Sequence, residues 1–213
     1  NIAGVSTIDR ETYPELSVND YFKVAILGNF AWIRGMDRLV EVASELVRRG
    51  RIDILFVVAG DMRLRGNLSG ELNKFKRNKK TLEDYVNSKG LGHMFRFLGH
   101  ITEPDRLLVG CDVLLRLSRE NNPWGRDVIE ALGSAKPVIA TGKYDTFVKS
   151  GKTGILLESY SPNLVADNII ELYDDKNLAH RLGTAGKELI DSLCNGSSRA
   201  TELAYIWNSV VRK

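Results

Sequence analysis

Short apolar runs alternate with amphipathic stretches along most of this chain. Such runs are typical of strands buried in a parallel sheet. They lie at 23–28, 52–60, 95–99, 113–117, 137–141 and 154–157. Between the first two, apolar residues recur at helical spacing at Met36, Leu39, Val40, Ala43, Leu46 and Val47. Strands that alternate with helices predict an α/β fold, a Rossmann-like parallel sheet with helices on both faces.

The later amphipathic segments predict further helices. These run from about Ser69 to Ser88, from Pro104 to Gly110, onward from near Arg126, and over about 162–174, 176–192 and 198–211. Residues 1–20 are polar and rich in turn residues, which is typical of a linker or of the tail of an upstream domain. Residues 21–213 then form one domain. Because the chain does not begin with Met, we expect it to be part of a longer protein.

Composition limits the classes of partner. The net charge of +3 and the pI of about 8.8 over 213 residues fall short of the dense basic surface of a nucleic-acid-binding protein. The basic run from Lys74 to Lys80, with Arg63 and Arg65 before it, could touch an anionic membrane peripherally. A solvated helix face is the favoured reading, since the run lacks a stripe of inserting apolar residues.

Cysteine usage and hydropathy predict a cytoplasmic protein. Cys111 and Cys194 lie far apart and resemble reduced thiols, and no Cys/His spacing suggests a metal. The sequence contains neither an apolar run of roughly 18 residues nor a signal peptide. We therefore expect a cytoplasmic location and no bound metal.

The stretch from Ser118 to Gly154 carries the clearest chemistry. Residues Asn122-Pro-Trp-Gly125 supply a turn between the strand at 113–117 and the helix that begins near Arg126. A helix start beyond the carboxyl end of a buried parallel strand is where α/β sheets bind ligands. Unpaired N–H groups and the helix dipole favour an anion there. The expected ligand group is a phosphate.

The loop from Gly28 to Gly35 is the second candidate element. It follows the first strand and precedes the first helix, so its N–H groups and the Arg34 guanidinium can reach a diphosphate. The loop is neither a Walker motif, which needs Gly-Lys-Ser/Thr, nor a G-x-G-x-x-G fingerprint. We expect both elements to bind one ligand.

These motifs together resemble a known family. Ser118, a polar loop, Pro-Trp-Gly125, four residues, Glu130-Ala, then Lys136-Pro-Val-Ile-Ala-Thr and Gly151-Lys-Thr-Gly resemble the donor-binding half of GT-B fold retaining glycosyltransferases of group 1, or family 4. The resemblance covers roughly residues 22–190. It implies a UDP- or GDP-sugar as the donor substrate, with no further cofactor and no metal. It also implies an acceptor-binding N-terminal domain that is absent here, so the isolated chain is expected to be inactive.

The resemblance assigns roles to individual residues. Glu130 matches the family's second Glu, which holds the ribose hydroxyls, and Asn122 falls where a first Glu contacts the donor sugar. In the phosphate loop after Gly28, Arg34 occupies the position of a Lys, whereas Asn29 replaces an Arg. Asn122, Glu130 and Arg34 are therefore the candidate catalytic residues.

The remaining donor-binding candidates lie in the two loops and after the third strand. Backbone groups of Gly99 and His100 are expected at the nucleobase, without a catalytic role for His100. N–H groups of Gly125, Arg126 and Asp127 are expected at phosphate oxygens. Trp124 replaces the family's common Phe and is expected mainly to fix the loop.

Two other classes of function stay open. The replacement of charged family residues by Asn122 and Asn29 is compatible with a non-catalytic nucleotide-sugar binding module. A GT-B fold nucleotide-sugar epimerase or a phosphorylase would share the same scaffold.

Overall fold

One parallel sheet organises the molecule. The computed structural model describes residues 11–17, 20–68, 70–76 and 80–211. The strands are β1 (Phe22–Leu27), β2 (Ile54–Ala59), β3 (Phe95–Gly99), β4 (Val113–Arg116), β5 (Val138–Thr141) and β6 (Gly154–Leu157). Their order across the sheet is β3-β2-β1-β4-β5-β6, and each pairing is parallel. The predicted Rossmann-like α/β fold is confirmed.

Helices connect the strands and follow the last of them. They are α1 (Arg38–Arg48), α2 (Gly70–Phe75), α3 (Leu82–Ser88), α4 (Pro104–Val109), α5 (Arg126–Gly133), α6 (Pro162–Asp174), α7 (Lys176–Leu193) and α8 (Gly196–Val211). Short 3₁₀ turns cover Pro14–Leu16, Trp32–Arg34 and Gly92–Met94.

The prediction of one continuous helix from about Ser69 to Ser88 is wrong. Thr81 has an extended backbone, with φ −109° and ψ 168°, and begins a separate helix, α3. Its hydroxyl accepts the Asp84 N–H at 3.1 Å, and the Asp84 carboxylate accepts the Thr81 N–H at 2.9 Å. This capping box satisfies N–H groups that a helix start leaves unpaired. Part of the basic run, residues 77–79, lies outside the described residues.

The sheet is covered on both faces because successive strand residues point to opposite sides. On one face, Val24 and Ile26 join a core with apolar residues of α1 and α6. On the other face, Ala25 joins a core with α4 and α5. All residues of β2 are buried, as expected for an inner strand of a parallel sheet.

The joint between β1 and β4 is where the strand order reverses. β1 and β2 pair over their full length, from Phe22↔Ile54 to Leu27↔Ala59. The β1–β4 ladder consists of Val24↔Val113 and Ala25↔Leu114. The loops that leave these two strands run to opposite sides, which opens a crevice at their carboxyl ends.

The ends of the described chain differ in how they pack. Leu16, within the segment predicted as a linker, is 1% exposed, and the Glu11 carbonyl accepts a 2.9 Å hydrogen bond from Arg106 of α4. Helix α8 instead leaves large apolar side chains exposed, among them Leu203, Trp207 and Val210. None of the described helices combines the length and apolar character needed to cross a membrane.

Candidate functional site

A cleft of about 500 Å³ lies at the carboxyl ends of the strands, where the strand order reverses. The β1–α1 loop forms one wall, and the end of β4 with the first turn of α5 forms the other. The end of β2 and residues 100–102 and 104 after β3 complete the cleft. Its position matches the rule that open α/β sheets bind ligands at the switch point of their topology.

Arg34 lies on the first wall. It ends the Trp32–Arg34 turn, its side chain is exposed, and it lines the cleft together with Gly28 and Asn29. A methyl group on Gly28 would overlap the Arg34 guanidinium, so glycine permits this close approach. The Asn29 amide oxygen accepts the Asp61 N–H at 2.8 Å, so this side chain supports the loop backbone. Arg34 thus supplies the positive charge of this wall.

The first turn of α5 forms the opposite wall. Gly125 is the N-cap and has an extended backbone, and its carbonyl accepts the N–H groups of Val128 and Ile129 at 3.1 and 3.2 Å. Gly125, Arg126 and Asp127 all line the cleft. A helix start leaves its first N–H groups without intrahelical acceptors, so this wall suits an anion.

Glu130 lies one turn further along α5 and also lines the cleft. Its carboxylate is 3.2 Å from Nε of Arg126, and 27% of its side chain is exposed. Burial raises the pKa of Glu130, against the opposing effect of Arg126. An ionised carboxylate in this environment is stabilised by any ligand hydroxyl that donates to it.

Arg116 is a cleft residue that sequence reasoning missed. Its Nη1 lies 2.9 and 2.7 Å from the two carboxylate oxygens of Asp127, and its Nε donates to the Asn122 carbonyl at 3.1 Å. The side chains of this pair are only 14% and 13% exposed. The available signal was a charged residue at the end of an otherwise apolar strand, since β4 reads Val-Leu-Leu-Arg.

Three residues that were expected to contact the donor are not among those that line the cleft. The Asn122 amide oxygen accepts the Trp124 N–H at 3.3 Å, so the turn holds this side chain locally. Trp124 is 46% exposed, and its ring centroid is 5.9 Å from that of Phe147. The Gly99 carbonyl accepts the Gly60 N–H at 2.6 Å, whereas His100 does line the cleft. The contacts of Asn122, Trp124 and Gly99 with a donor stay predictions.

Two arginines join the walls of the cleft. Arg119 makes a bidentate ion pair with Asp37, with both distances 2.6 Å, and stacks 3.4 Å from the ring centroid of Trp32. Arg38 donates to the carbonyls of Leu117 and Ser118 at 3.0 and 3.2 Å. The Arg119 side chain is thus held by residues of the first wall. The two loops therefore hold each other in position.

Across the described residues, no group of three or more His, Cys, Asp and Glu side chains could hold a metal ion. The two acids of the cleft, Asp127 and Glu130, are paired with Arg116 and Arg126. The arrangement is suited chemically to an anion and to hydroxyl groups.

Comparison with known proteins gives matches over most of the chain. The model of the family "Glycosyl transferases group 1" matches residues 9–189. Alpha-D-kanosaminyltransferase from Streptomyces kanamyceticus is 27% identical over 94% of this chain and 48% of its own length. The chain spans about half or less of the curated relatives that it matches.

Solved structures share the fold. HepE from Anabaena, in complex with UDP and glucose, has a TM-score of 0.75 and 21% identity, over 92% of this chain and 50% of that one. The C-terminal domain of a glycosyl transferase group 1 family protein from Francisella tularensis has a TM-score of 0.65 and 23% identity. It matches over 82% of this chain and 87% of its own.

Proposed function

Because this chain belongs to the glycosyl transferases group 1 family, we propose that it is the donor-binding half of a retaining glycosyltransferase that uses a nucleotide diphosphate sugar. The observation that carries the proposal is the convergence of Arg34, the start of α5 and Glu130 on one cleft. These groups complement a diphosphate next to a ribose. The retaining stereochemical course belongs to the same proposal.

The diphosphate would lie between the walls of the cleft. Arg34 can donate two parallel hydrogen bonds to phosphate oxygens through its planar guanidinium. The N–H groups at the start of α5 would bind oxygens from the opposite side. In sugar transfer, negative charge accumulates on the leaving diphosphate, so these groups would assist the reaction by stabilising the leaving group.

The nucleoside would extend from the phosphates along α5. Ribose hydroxyls would donate to the Glu130 carboxylate, whose partial burial makes such partners favourable. The base would lie near the loop that follows β3, where His100 and Thr102 line the cleft. UDP is the first nucleotide to test, because HepE was solved with UDP and with UDP-glucose, and GDP is the alternative.

Transfer would also require an acceptor-binding site opposite the donor. The chain spans 48% of the kanosaminyltransferase and 50% of HepE, so the acceptor site would lie on a part of the whole protein that this chain does not contain. We expect the 213-residue chain to bind the donor and not to transfer its sugar.

A thermal-shift titration of the chain with UDP, GDP and a panel of their sugars tests the proposal. A ligand at a hundredfold excess over its Kd stabilises the folded state by about 2.7 kcal/mol. For a domain of this size, each kcal/mol raises the Tm by roughly 2–4 °C. The matching nucleotide should therefore raise the Tm by roughly 5–11 °C.

The titration needs two controls. Sulfate at equal ionic strength reveals whether a shift arises from unspecific anion binding, and a chelator tests the expectation that binding needs no metal. The absence of a shift with any nucleoside diphosphate or its sugar at millimolar concentration would refute donor binding.

A further inference from the structure

We propose that Arg116 is a second diphosphate-binding cation of the cleft and that Asp127 holds it in position. The inference rests on the proposed function, since it assigns a further residue to the same donor site. It starts from the geometry of an arginine at the end of an apolar strand. Arg116 and Arg34 both line the cleft, the first from β4 and the second from the β1–α1 loop.

The guanidinium of Arg116 is held at two of its three nitrogens. Nη1 contacts both oxygens of Asp127, and Nε donates to the Asn122 carbonyl. Nη2 has no acceptor among the described residues, and it is therefore the nitrogen left to donate to a ligand. A planar guanidinium fixed in this way loses little conformational entropy when it binds an anion.

The charges of the cleft support a binding role. The charged side chains that line it are Arg34, Arg116, Arg126, Asp127 and Glu130. Three arginines and two carboxylates leave one net positive charge, which disappears if Arg116 is removed. Asn29 contributes no charge, and its amide oxygen binds the loop backbone. Loss of Arg116 would therefore leave the lining without net positive charge, and Asn29 carries no charge that could replace it.

A purely structural role for Arg116 makes a different prediction. The buried pair could serve only to neutralise Asp127, whose unpaired carboxylate would repel a phosphate. In that case, removal of both charges together would restore binding. If Nη2 contacts the diphosphate, binding stays weak in the double variant, because the donor is lost in either background.

The test compares Arg116→Leu with the double variant Arg116→Leu/Asp127→Asn in the 213-residue chain. UDP, GDP and the corresponding nucleosides are titrated by calorimetry. Loss of one charge-assisted hydrogen bond corresponds to about a tenfold to hundredfold weaker Kd. We expect this loss for the diphosphate in both variants, with nucleoside affinity changed by less than about twofold.

Arg51→Leu is the matched control. Arg51 is 19% exposed and pairs with Asp53 at 3.0 Å. It precedes β2 and so lies at the amino ends of the strands, whereas the cleft lies at their carboxyl ends. Its removal should leave diphosphate affinity unchanged. If Arg116→Leu fails to fold, the double variant still decides the matter, because replacing both members of a buried pair is often neutral for stability.

The outcomes separate this inference from the proposed function. Two outcomes would overturn the role of Arg116 but leave the proposed function standing. They are recovery of wild-type diphosphate affinity in the double variant, and equal losses for nucleoside and diphosphate. A wild-type chain that binds neither UDP nor GDP would overturn the proposed function and this inference with it.

Discussion

Gly35 is the point at which the two walls of the cleft touch, and replacing it by alanine tests that contact. Its backbone is left-handed, with φ +69°. A methyl group there would overlap the carbonyl oxygen of Leu117 and would lie 2.9 Å from its carbonyl carbon. The obstacle is backbone, so no side chain can rotate away to make room.

Gly50→Ala provides a matched control for the backbone conformation. Gly50 has φ +74°, and a methyl group added there would meet no atom within 4 Å. The left-handed conformation alone costs about 1–2 kcal/mol for a residue with a side chain. Steric overlap in a packed region adds about 1–3 kcal/mol. Gly35→Ala should therefore destabilise the chain by about 2–5 kcal/mol. Gly50→Ala should cost only the about 1–2 kcal/mol of the left-handed conformation.

Urea unfolding of both variants measures the two costs. The free energies of unfolding should differ by about 1–3 kcal/mol, with Gly35→Ala the less stable. Each kcal/mol corresponds to roughly 2–4 °C in Tm. Gly35→Ala should also weaken UDP binding, because the neighbouring Arg34 moves with the loop, whereas Gly50→Ala should not. Equal destabilisation of the two variants would refute the tight contact between the loops.

The remaining predictions concern the two candidate ligand contacts. Arg34→Ala should weaken UDP binding by about tenfold to a hundredfold and leave uridine binding nearly unchanged, with or without chelator. Equal losses for both ligands would contradict a phosphate contact. Glu130→Gln should weaken uridine and UDP by similar factors because its expected partner is the ribose. Burial raises the folded-state pKa of Glu130, so its ionised form costs stability at neutral pH, and this cost vanishes as the pH falls below the unfolded pKa of about 4.3. The glutamine variant should therefore be more stable than wild type in urea at pH 7 and gain nothing at pH 4. A gain that increases toward low pH would disagree with this environment of Glu130.

The strands could be predicted because their sequence pattern and their environment agree. A strand covered on both faces is continuously apolar, and β2, with all its residues buried, shows this most clearly. The boundary at Thr81 was missed because residues 71–80 contain no Gly or Pro that would break a helix. The capping box of Thr81 and Asp84 was the available signal, since each of these side chains accepts the backbone N–H of the other residue and so starts a helix with no Gly or Pro before it.

The candidate site could be predicted only in part. Chain position alone brings Arg34 and Glu130 to the cleft, because loops and helices at the carboxyl ends of parallel strands share one edge. The direction of a side chain within a turn depends on local hydrogen bonds, as Asn122 shows by binding the Trp124 N–H. Arg116 was missed because its partner Asp127 lies in another element, α5. The apolar pattern of a strand does not indicate which charged residues of other elements lie next to its end.

The β1–β4 joint has a consequence for how the molecule opens. Two residue pairs form its ladder, whereas the neighbouring β1–β2 ladder runs the full length of both strands. Free energies of local opening differ across a protein and are highest where apolar side chains are buried, and the four residues of this short ladder, Val24, Ala25, Val113 and Leu114, are all 0% exposed. Both cores cross this joint, because Val24 and Val113 share one of them and Ala25 and Leu114 the other, so the two halves of the sheet do not pack independently. A ligand that bridges Arg34 and the start of α5 would therefore add to a joint that side-chain packing, more than backbone pairing, already holds together.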